Sequence, residues 1–458
     1  MEIINERYIA ELLEKSINPD SILVNEIIEK AKTLKPISLK DTATLINITK
    51  QEDLEKLFYA AKEIKNKIYG KRVVLFAPLY ISNYCTNDCL YCGFRVNNKE
   101  IKRKTLTQNE IKDEVVAILE QGHKRVLMLM GDHSKKASLD YFIECINSVY
   151  SAKDSKGNSI RRINIEIEPL SNEEFQKIKD IPIGTYTVFQ ETYHKKTYEE
   201  VHLSGKKADY NWRLEVMHRA LSNGLNDVGI GALFGLFDYR FEVLGLLSHA
   251  MSLEKEFNIG PHTISIPRLQ YALNAPLSKA NNNVNDIDFK KIIAVLRLSV
   301  PYAGMILSTR ERSDLRMELL DLGISQISSG SKTNPGGYKQ AFNNKEQVLN
   351  NKEIKEQINI AGEQFNLNDN RTSGEIIENI IELGYIPSFC TSCYQIGRVG
   401  EKFMKIAKTG DIKLFCQKNA LLTLNEYLSD YANENVRAKG MQLIQNELNS
   451  MPPDDIII

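Results

Sequence analysis

No excess of charge of either sign runs through this chain, in which 59 Lys plus Arg are matched by 59 Asp plus Glu. Nothing in the overall balance would gather nucleic acid or hold the protein to an anionic membrane surface, so small ligands are expected instead. Nor does any run approach the ~18 apolar residues that a bilayer-spanning helix needs. Met1–Glu6 lacks the basic start and apolar core of a secretion signal. The expectation is a cytoplasmic protein without nucleic-acid or membrane partners. Cysteine is scarce, with seven among 458 residues. In a reducing compartment such cysteines read as ligands or catalytic thiols, not as disulfide partners.

What is present suits a soluble globular protein: 42% hydrophobic and 26% charged residues. Residues 1–70 carry apolar positions at helical spacing in Ile9–Leu13, Ile22–Ala31 and Leu54–Ile68, and predict a helical N-terminal extension. From Val73 onward, short apolar runs alternate with amphipathic segments. The runs are Val73–Tyr80, Val126–Met130, Ile163–Ile167, Thr185–Gln190, Asp227–Gly231, Thr263–Ile266, Met305–Ser308 and Ile324–Ser328. Capping boxes at Thr107–Glu110 and Ser171–Glu174 announce helices between them. Eight strand-then-helix units predict a (β/α)8 TIM barrel over residues 71–340, with its reactive groups in the loops after the strands. A doubly wound open sheet is the alternative, because periodicity does not show closure.

The turn-rich Ser328–Gly337 stretch marks the exit from the barrel. Residues 341–458 are then expected to form a mainly helical C-terminal domain, with helical patterns at Gly374–Leu383 and Asn419–Tyr431. The Asn- and Lys-rich stretches at Asn281–Asn283, Asn343–Lys345 and Asn350–Lys352 read as solvated loop.

Six of the seven cysteines fall in two groups; Cys145, in the apolar pattern Tyr141–Ile146, reads as a buried helix residue. The first group, Cys85, Cys89 and Cys92, is a C-x3-C-x2-C array directly after the first strand. Three thiolates hold three corners of a 4Fe-4S cube and leave the fourth iron open. An open iron can chelate the amino and carboxylate groups of S-adenosylmethionine and deliver an electron into its sulfonium bond, giving a 5′-deoxyadenosyl radical. A zinc knot would need a second ligand pair nearby, and no Cys or His follows within the next thirty residues. A redox C-x-x-C lacks a thioredoxin-like setting here.

At this point the chain resembles the radical S-adenosylmethionine superfamily. The resemblance implies that Tyr91 and Phe94 flank the adenine and that Gly131 and Asp132, after the second strand, meet the methionyl amino group. Asp132 stands where the superfamily often has Glu. By the same likeness, Glu191 and Arg213 bind the amino-acid part of the cofactor. Gly229 and Gly231 let the strand backbone approach the adenine, or simply relieve crowding in the barrel.

The second group is Cys390 and Cys393 in a C-x2-C, with Cys416 after 22 further residues. A solvated C-x2-C plus an unrelated cysteine is the bland alternative. Together with Gly384–Phe389, Tyr394–Gly400, Gln190–His194, Gly229–Leu233, Gly260–Ser265 and Leu307–Glu311, it makes the chain similar over its whole length to the HydG family, the tyrosine-cleaving maturases of FeFe hydrogenase. Most of the barrel motifs also look like 2-iminoacetate synthase of thiamine biosynthesis, which lacks the C-terminal triplet. The HydG resemblance implies cleavage of L-tyrosine to p-cresol and dehydroglycine at the barrel cluster. Conversion to carbon monoxide and cyanide would follow at a second 4Fe-4S cluster. It also implies an additional iron bridged by a free cysteine, a reductant such as flavodoxin or ferredoxin, and other hydrogenase maturation proteins as partners.

His262, opening the sixth strand, is implied as a ligand of the additional iron, which imidazole suits. Ser308 and Arg310 end the seventh strand, where a hydroxyl and a guanidinium can hold an amino-acid carboxylate. An ordinary salt bridge of Arg310 with Glu311 or Asp314 is the alternative. His194 and His202 are left without a role, and His249, on an apolar helix face, reads as structural.

Overall fold

The computed structural model describes residues 2–277, 282–344 and 362–451. Of the stretches expected as solvated loop, Asn281, Lys345 and Asn350–Lys352 lie outside the described residues, whereas Asn343 and Asn344 end the helix Gly337–Asn344 and are not loop. Four helices come first: α1 (Glu6–Lys15), α2 (Ser21–Lys32), α3 (Leu39–Ile46) and α4 (Gln51–Tyr69). Each buries one apolar stripe, such as Leu54, Leu57, Ala61, Ile64 and Ile68 of α4, against the outside of the barrel helices.

Eight parallel strands follow: β1 (Arg72–Ser82), β2 (Arg125–Met130), β3 (Arg162–Glu166), β4 (Tyr186–Thr187), β5 (Val228–Gly231), β6 (Thr263–Ser265), β7 (Gly304–Leu307) and β8 (Gln326–Ser328). They pair in chain order, and β1 pairs with both β2 and β8, so the sheet closes on itself. Closure decides against the open sheet, and all eight strands lie at the expected runs. The helices Gln108–Leu119 and Asn172–Ile178 begin at the two expected capping boxes, in which Thr107 and Ser171 accept from the N–H three residues on.

A ninth strand, β9 (Ile386–Ser388), was not expected. Val74 pairs with Gln326 of β8 and also with Ser388 of β9. One residue has two edges, so β9 occupies the edge that β2 takes over from Ala77 onward. The C-terminal segment is thereby hydrogen-bonded into the N-terminal end of the barrel. Helices Gly400–Thr409, Ile412–Asp430 and Glu434–Asn449 complete it. Among the described residues no helix is long and apolar enough to cross a membrane.

Candidate active site and second cysteine centre

β1 ends in the loop that carries Cys85, Cys89 and Cys92, at the C-terminal mouth of the barrel. The loop crosses β2 closely, because a Cβ at Gly131 would collide with the Tyr84 carbonyl and lie 3.1 Å from Cys85 Cβ. Asp132 carbonyl accepts from Thr86 N at 2.7 Å, and the Asn87 amide bridges Asp132 Oδ2 at 3.0 Å and Cys85 Sγ at 3.6 Å. The three thiols face one cavity together with Phe94, Gly131, Asp132, Glu191 and Arg213. Tyr91 lines the adjoining cavity, of about 920 Å³ with its open mouth, along with Ser308 and Arg310. Burial raises all three thiols, and nearby Lys207 opposes it in each case. Among the described residues no three His, Cys, Asp or Glu side chains are placed to hold a single metal ion. Three thiols around a shared cavity instead suit a cube that meets each ligand at a separate corner.

Glu191 sits at a φ of 71°, a left-handed backbone that a non-glycine residue adopts only when its surroundings impose it. The constraint comes from Glu242, whose carboxylate accepts from Tyr193 N at 2.8 Å and from the Thr192 hydroxyl. Glu191 thereby points at Lys207 Nζ, 2.5 Å away, and lies 3.7 Å from Arg213. Burial alone would raise its pKa, but the two cations outweigh it and hold the carboxyl below its usual range. Tyr91 donates to His202 Nε2 at 2.7 Å, because His202 Nδ1 is committed to the Tyr198 carbonyl at 2.8 Å. His202 thus braces Tyr91. His194 stacks on Phe237 at 3.7 Å, and His249 is buried against the Tyr193 hydroxyl at 3.0 Å.

Arg310 forms no salt bridge with Glu311 or Asp314. Those carboxylates pair with Arg268 and Arg312, while the Arg310 guanidinium lies 3.4 Å from the centre of the Phe365 ring. Gly229 and Gly231 sit within β5, where a Cβ would meet Thr187 Oγ1 at 2.7 Å and Phe189 Cδ1 at 2.8 Å, respectively. Cys145 is fully buried in the helix Leu139–Ser151.

Three contributors, Lys207, Gln364 and Phe365, escaped the sequence reading. Lys207, on a short turn, carried no motif. Gln364 and Phe365 belong to a polar stretch read as part of the exit from the barrel, yet Gln364 Nε2 approaches Cys92 Sγ at 3.7 Å and its Oε1 accepts from Tyr80 at 2.7 Å. The segment is pinned by Asp369, which pairs with Arg316 in a wholly buried ion pair.

The second centre lies at the opposite end of the barrel. Cys390 follows β9, Cys393 lies in the next turn, and Cys416 is presented by the helix Ile412–Asp430. Their cavity is lined at its barrel side by Arg72, Arg125, His262 and Gln326, all at strand starts. Cys393 and Cys416 hydrogen-bond each other, which lowers Cys416 to about 7. Arg72 is half-buried beside the thiols, and its buried Nε has no hydrogen-bond partner. A guanidinium without a carboxylate partner among the described residues suits thiolates that bind metal, since it balances their charge. Tyr394 reaches into the barrel mouth, with Arg162 stacked 3.6 Å above its ring and its hydroxyl 3.2 Å from Thr185 Oγ1. His262 stacks on Phe403 at 4.2 Å, and burial holds the imidazole below its usual pKa, in the neutral form that binds metal.

A closed parallel barrel with such a cysteine loop at its C-terminal mouth defines a radical S-adenosylmethionine enzyme. The model of the Radical SAM superfamily matches residues 79–244, and that of the Biotin and Thiamin Synthesis associated domain matches residues 265–386. The chain is 33% identical to 2-iminoacetate synthase of Salmonella typhimurium over 315 residues, covering 68% of this chain and 80% of that enzyme. A crystal structure of HydG, a maturase of the [FeFe]-hydrogenase, superposes with a TM-score of 0.92 at 44% identity, covering all of this chain and 96% of the other. HydG from Carboxydothermus hydrogenoformans gives 0.83 at 38% identity, with 98% and 96% covered. Within the radical S-adenosylmethionine enzymes, this chain belongs to the HydG family.

Proposed function

We propose that the chain is a lyase that cleaves the Cα–Cβ bond of L-tyrosine, releasing p-cresol and dehydroglycine. Dehydroglycine is then converted to carbon monoxide and cyanide at the second centre, for assembly of the FeFe-hydrogenase active site. The observation that carries this reading is a pair of separate cysteine triads, each buried or half-buried, at opposite ends of one closed barrel.

A 4Fe-4S cluster with S-adenosylmethionine supplies the radical chemistry at the first triad when bound. Cys85, Cys89 and Cys92 hold that cluster, while Tyr91, Phe94, Gly131, Asp132, Glu191 and Arg213 enclose the cofactor; Gly229 and Gly231 keep the strand behind it free of side chains. Ser308 and Arg310 orient the substrate carboxylate by charge-assisted hydrogen bonds. Phe365 and Gln364 cover the cavity and keep water from it. Gln190, Thr263 and Arg162 carry buried polar atoms without partners along the barrel interior, which supports a polar passage for the fragment. Cys390, Cys393 and Cys416 would hold the second 4Fe-4S cluster, and His262 would supply an imidazole ligand to an additional iron there. A reductant such as flavodoxin or ferredoxin, and other maturation proteins, complete the system.

A thiamine-type lyase is the second reading, favoured by the identity to 2-iminoacetate synthase; it would stop at dehydroglycine. The test is anaerobic reconstitution with iron and sulfide, then assay of p-cresol, carbon monoxide and cyanide beside a Cys390→Ala/Cys393→Ala variant. All three products from the parent, with p-cresol alone surviving in the variant, support the maturase. p-Cresol without carbon monoxide from both proteins favours the lyase, and no p-cresol from either refutes tyrosine cleavage.

A further inference from the structure

The cavity at the C-terminal mouth contains two opposite charges that have not found each other. Glu166, the last residue of β3, lines both this cavity and the adjoining one, and makes no hydrogen bond or ion pair among the described residues. Arg310 has the Phe365 ring for company but no carboxylate. Each influences the ionisation of the other, so they share one electrostatic neighbourhood without closing into a pair.

The remaining carboxylates of the two cavities are committed. Glu191 is held by Lys207 and Arg213, Glu168 by Lys206 at 3.1 Å, and Asp132 accepts from Asn87. Glu166 is thus the free acid of the site. Burial, followed by the like charge of Glu191, pushes its pKa up to about 7, although Lys207, Arg310 and Arg213 oppose the rise. A half-buried carboxylate left unpaired is costly unless a cation arrives with a ligand.

We propose that Glu166 receives the α-ammonium group of the amino-acid substrate, so that Glu166 and Arg310 together select a zwitterion. The inference rests on the tyrosine-lyase reading and assigns the substrate's ammonium group, which Ser308 and Arg310 cannot recognise. The carboxylate goes to Arg310, the ammonium to Glu166, and the aryl ring to the apolar wall of Phe76, Leu127, Leu233 and Ile306. N-acylated or deaminated tyrosine would lack this contact and bind more weakly than tyrosine itself.

The experiment measures binding of tyrosine and of 3-(4-hydroxyphenyl)propanoate, which lacks the ammonium, to the reconstituted enzyme with S-adenosylmethionine. Glu166→Gln should weaken tyrosine about tenfold or more, the usual scale for a hydrogen bond to a charged group. It should leave the deaminated analogue and S-adenosylmethionine unchanged. Glu166→Asp should keep more tyrosine affinity than Glu166→Gln, and Arg310→Met should weaken both aryl ligands. Unchanged tyrosine affinity in a Glu166→Gln enzyme, or equal weakening of both aryl ligands or of S-adenosylmethionine, overturns the proposal. A parent enzyme that neither binds tyrosine nor releases p-cresol would instead refute the lyase reading beneath it.

Discussion

His262 Nδ1 faces Asp227 Oδ1 at 3.4 Å, and neither this buried nitrogen nor either buried Asp227 oxygen has a hydrogen-bond partner among the described residues. Asp227 precedes β5 and His262 precedes β6, so neighbouring strand starts set the two side by side. A carboxylate beside an imidazole favours one setting of the ring, and His262 lines the cavity of the second triad.

If His262 binds iron as proposed, Asp227→Asn should lower affinity for that iron by about 10- to 100-fold, the usual range for such outer partners. Tyrosine cleavage at the other end should persist. Iron per protein and the ratio of carbon monoxide to p-cresol measure both; an unaltered ratio would show that Asp227 does not serve His262.

Lys207→Met removes the nearer of the two cations that hold Glu191 ionised. Because the folded-state pKa of Glu191 is depressed, its stabilisation is present above the unfolded value of about 4.3 and is lost as pH falls through the folded value. The variant raises that folded value, so acid unfolding should begin at a higher pH than in the parent. Denaturation midpoints across a pH series check this, and weaker S-adenosylmethionine binding should accompany the shift.

Arg316 and Asp369 are both wholly buried, and Arg371 also reaches Asp369 at 2.7 Å. Arg316→Met should destabilise the protein by about 3 kcal/mol, because it leaves part of a buried carboxylate's charge uncompensated. Hydrogen exchange should rise first across residues 362–371, which cover Cys92 and Arg310. Uniform loosening of the whole barrel would count against this local role.

Gly131→Ala places a methyl group against the Tyr84 carbonyl. The strand is held on both sides by the sheet, so the cysteine loop must yield. The expected outcome is a folded protein with normal iron at the second centre and little at the first. Separate reconstitution in Cys390→Ala/Cys393→Ala and Cys89→Ala backgrounds resolves the two populations.

The eight barrel strands were legible because each is a compact apolar run with helix caps between, and Cys85, Cys89 and Cys92 were legible from spacing within one loop. β9 was not: Ile386, Pro387 and Ser388 are too few to show a period, and proline at the centre argues against a strand. It is tolerated because β9 uses a single edge, against β1. Lys207 and Gln364 were equally hidden. Gln364 meets Cys92 across 272 positions of chain, a contact that only tertiary structure creates. Glu166 carried no motif, and its lack of a partner is a property of the folded cavity.

β1 begins with Arg72 among the second triad and runs into the loop of the first. Its 11 residues make it a ruler of roughly 33 Å at strand rise. Being paired along both edges, it can neither stretch nor slip without opening the barrel. Loop changes can retune either end, but the spacing between the ends is a constant of the architecture. Were a reactive fragment to cross the barrel as proposed, differences in its transit time would arise from the interior lining, since the length is fixed, and interior side chains would be the natural place to adjust the timing between the two chemistries.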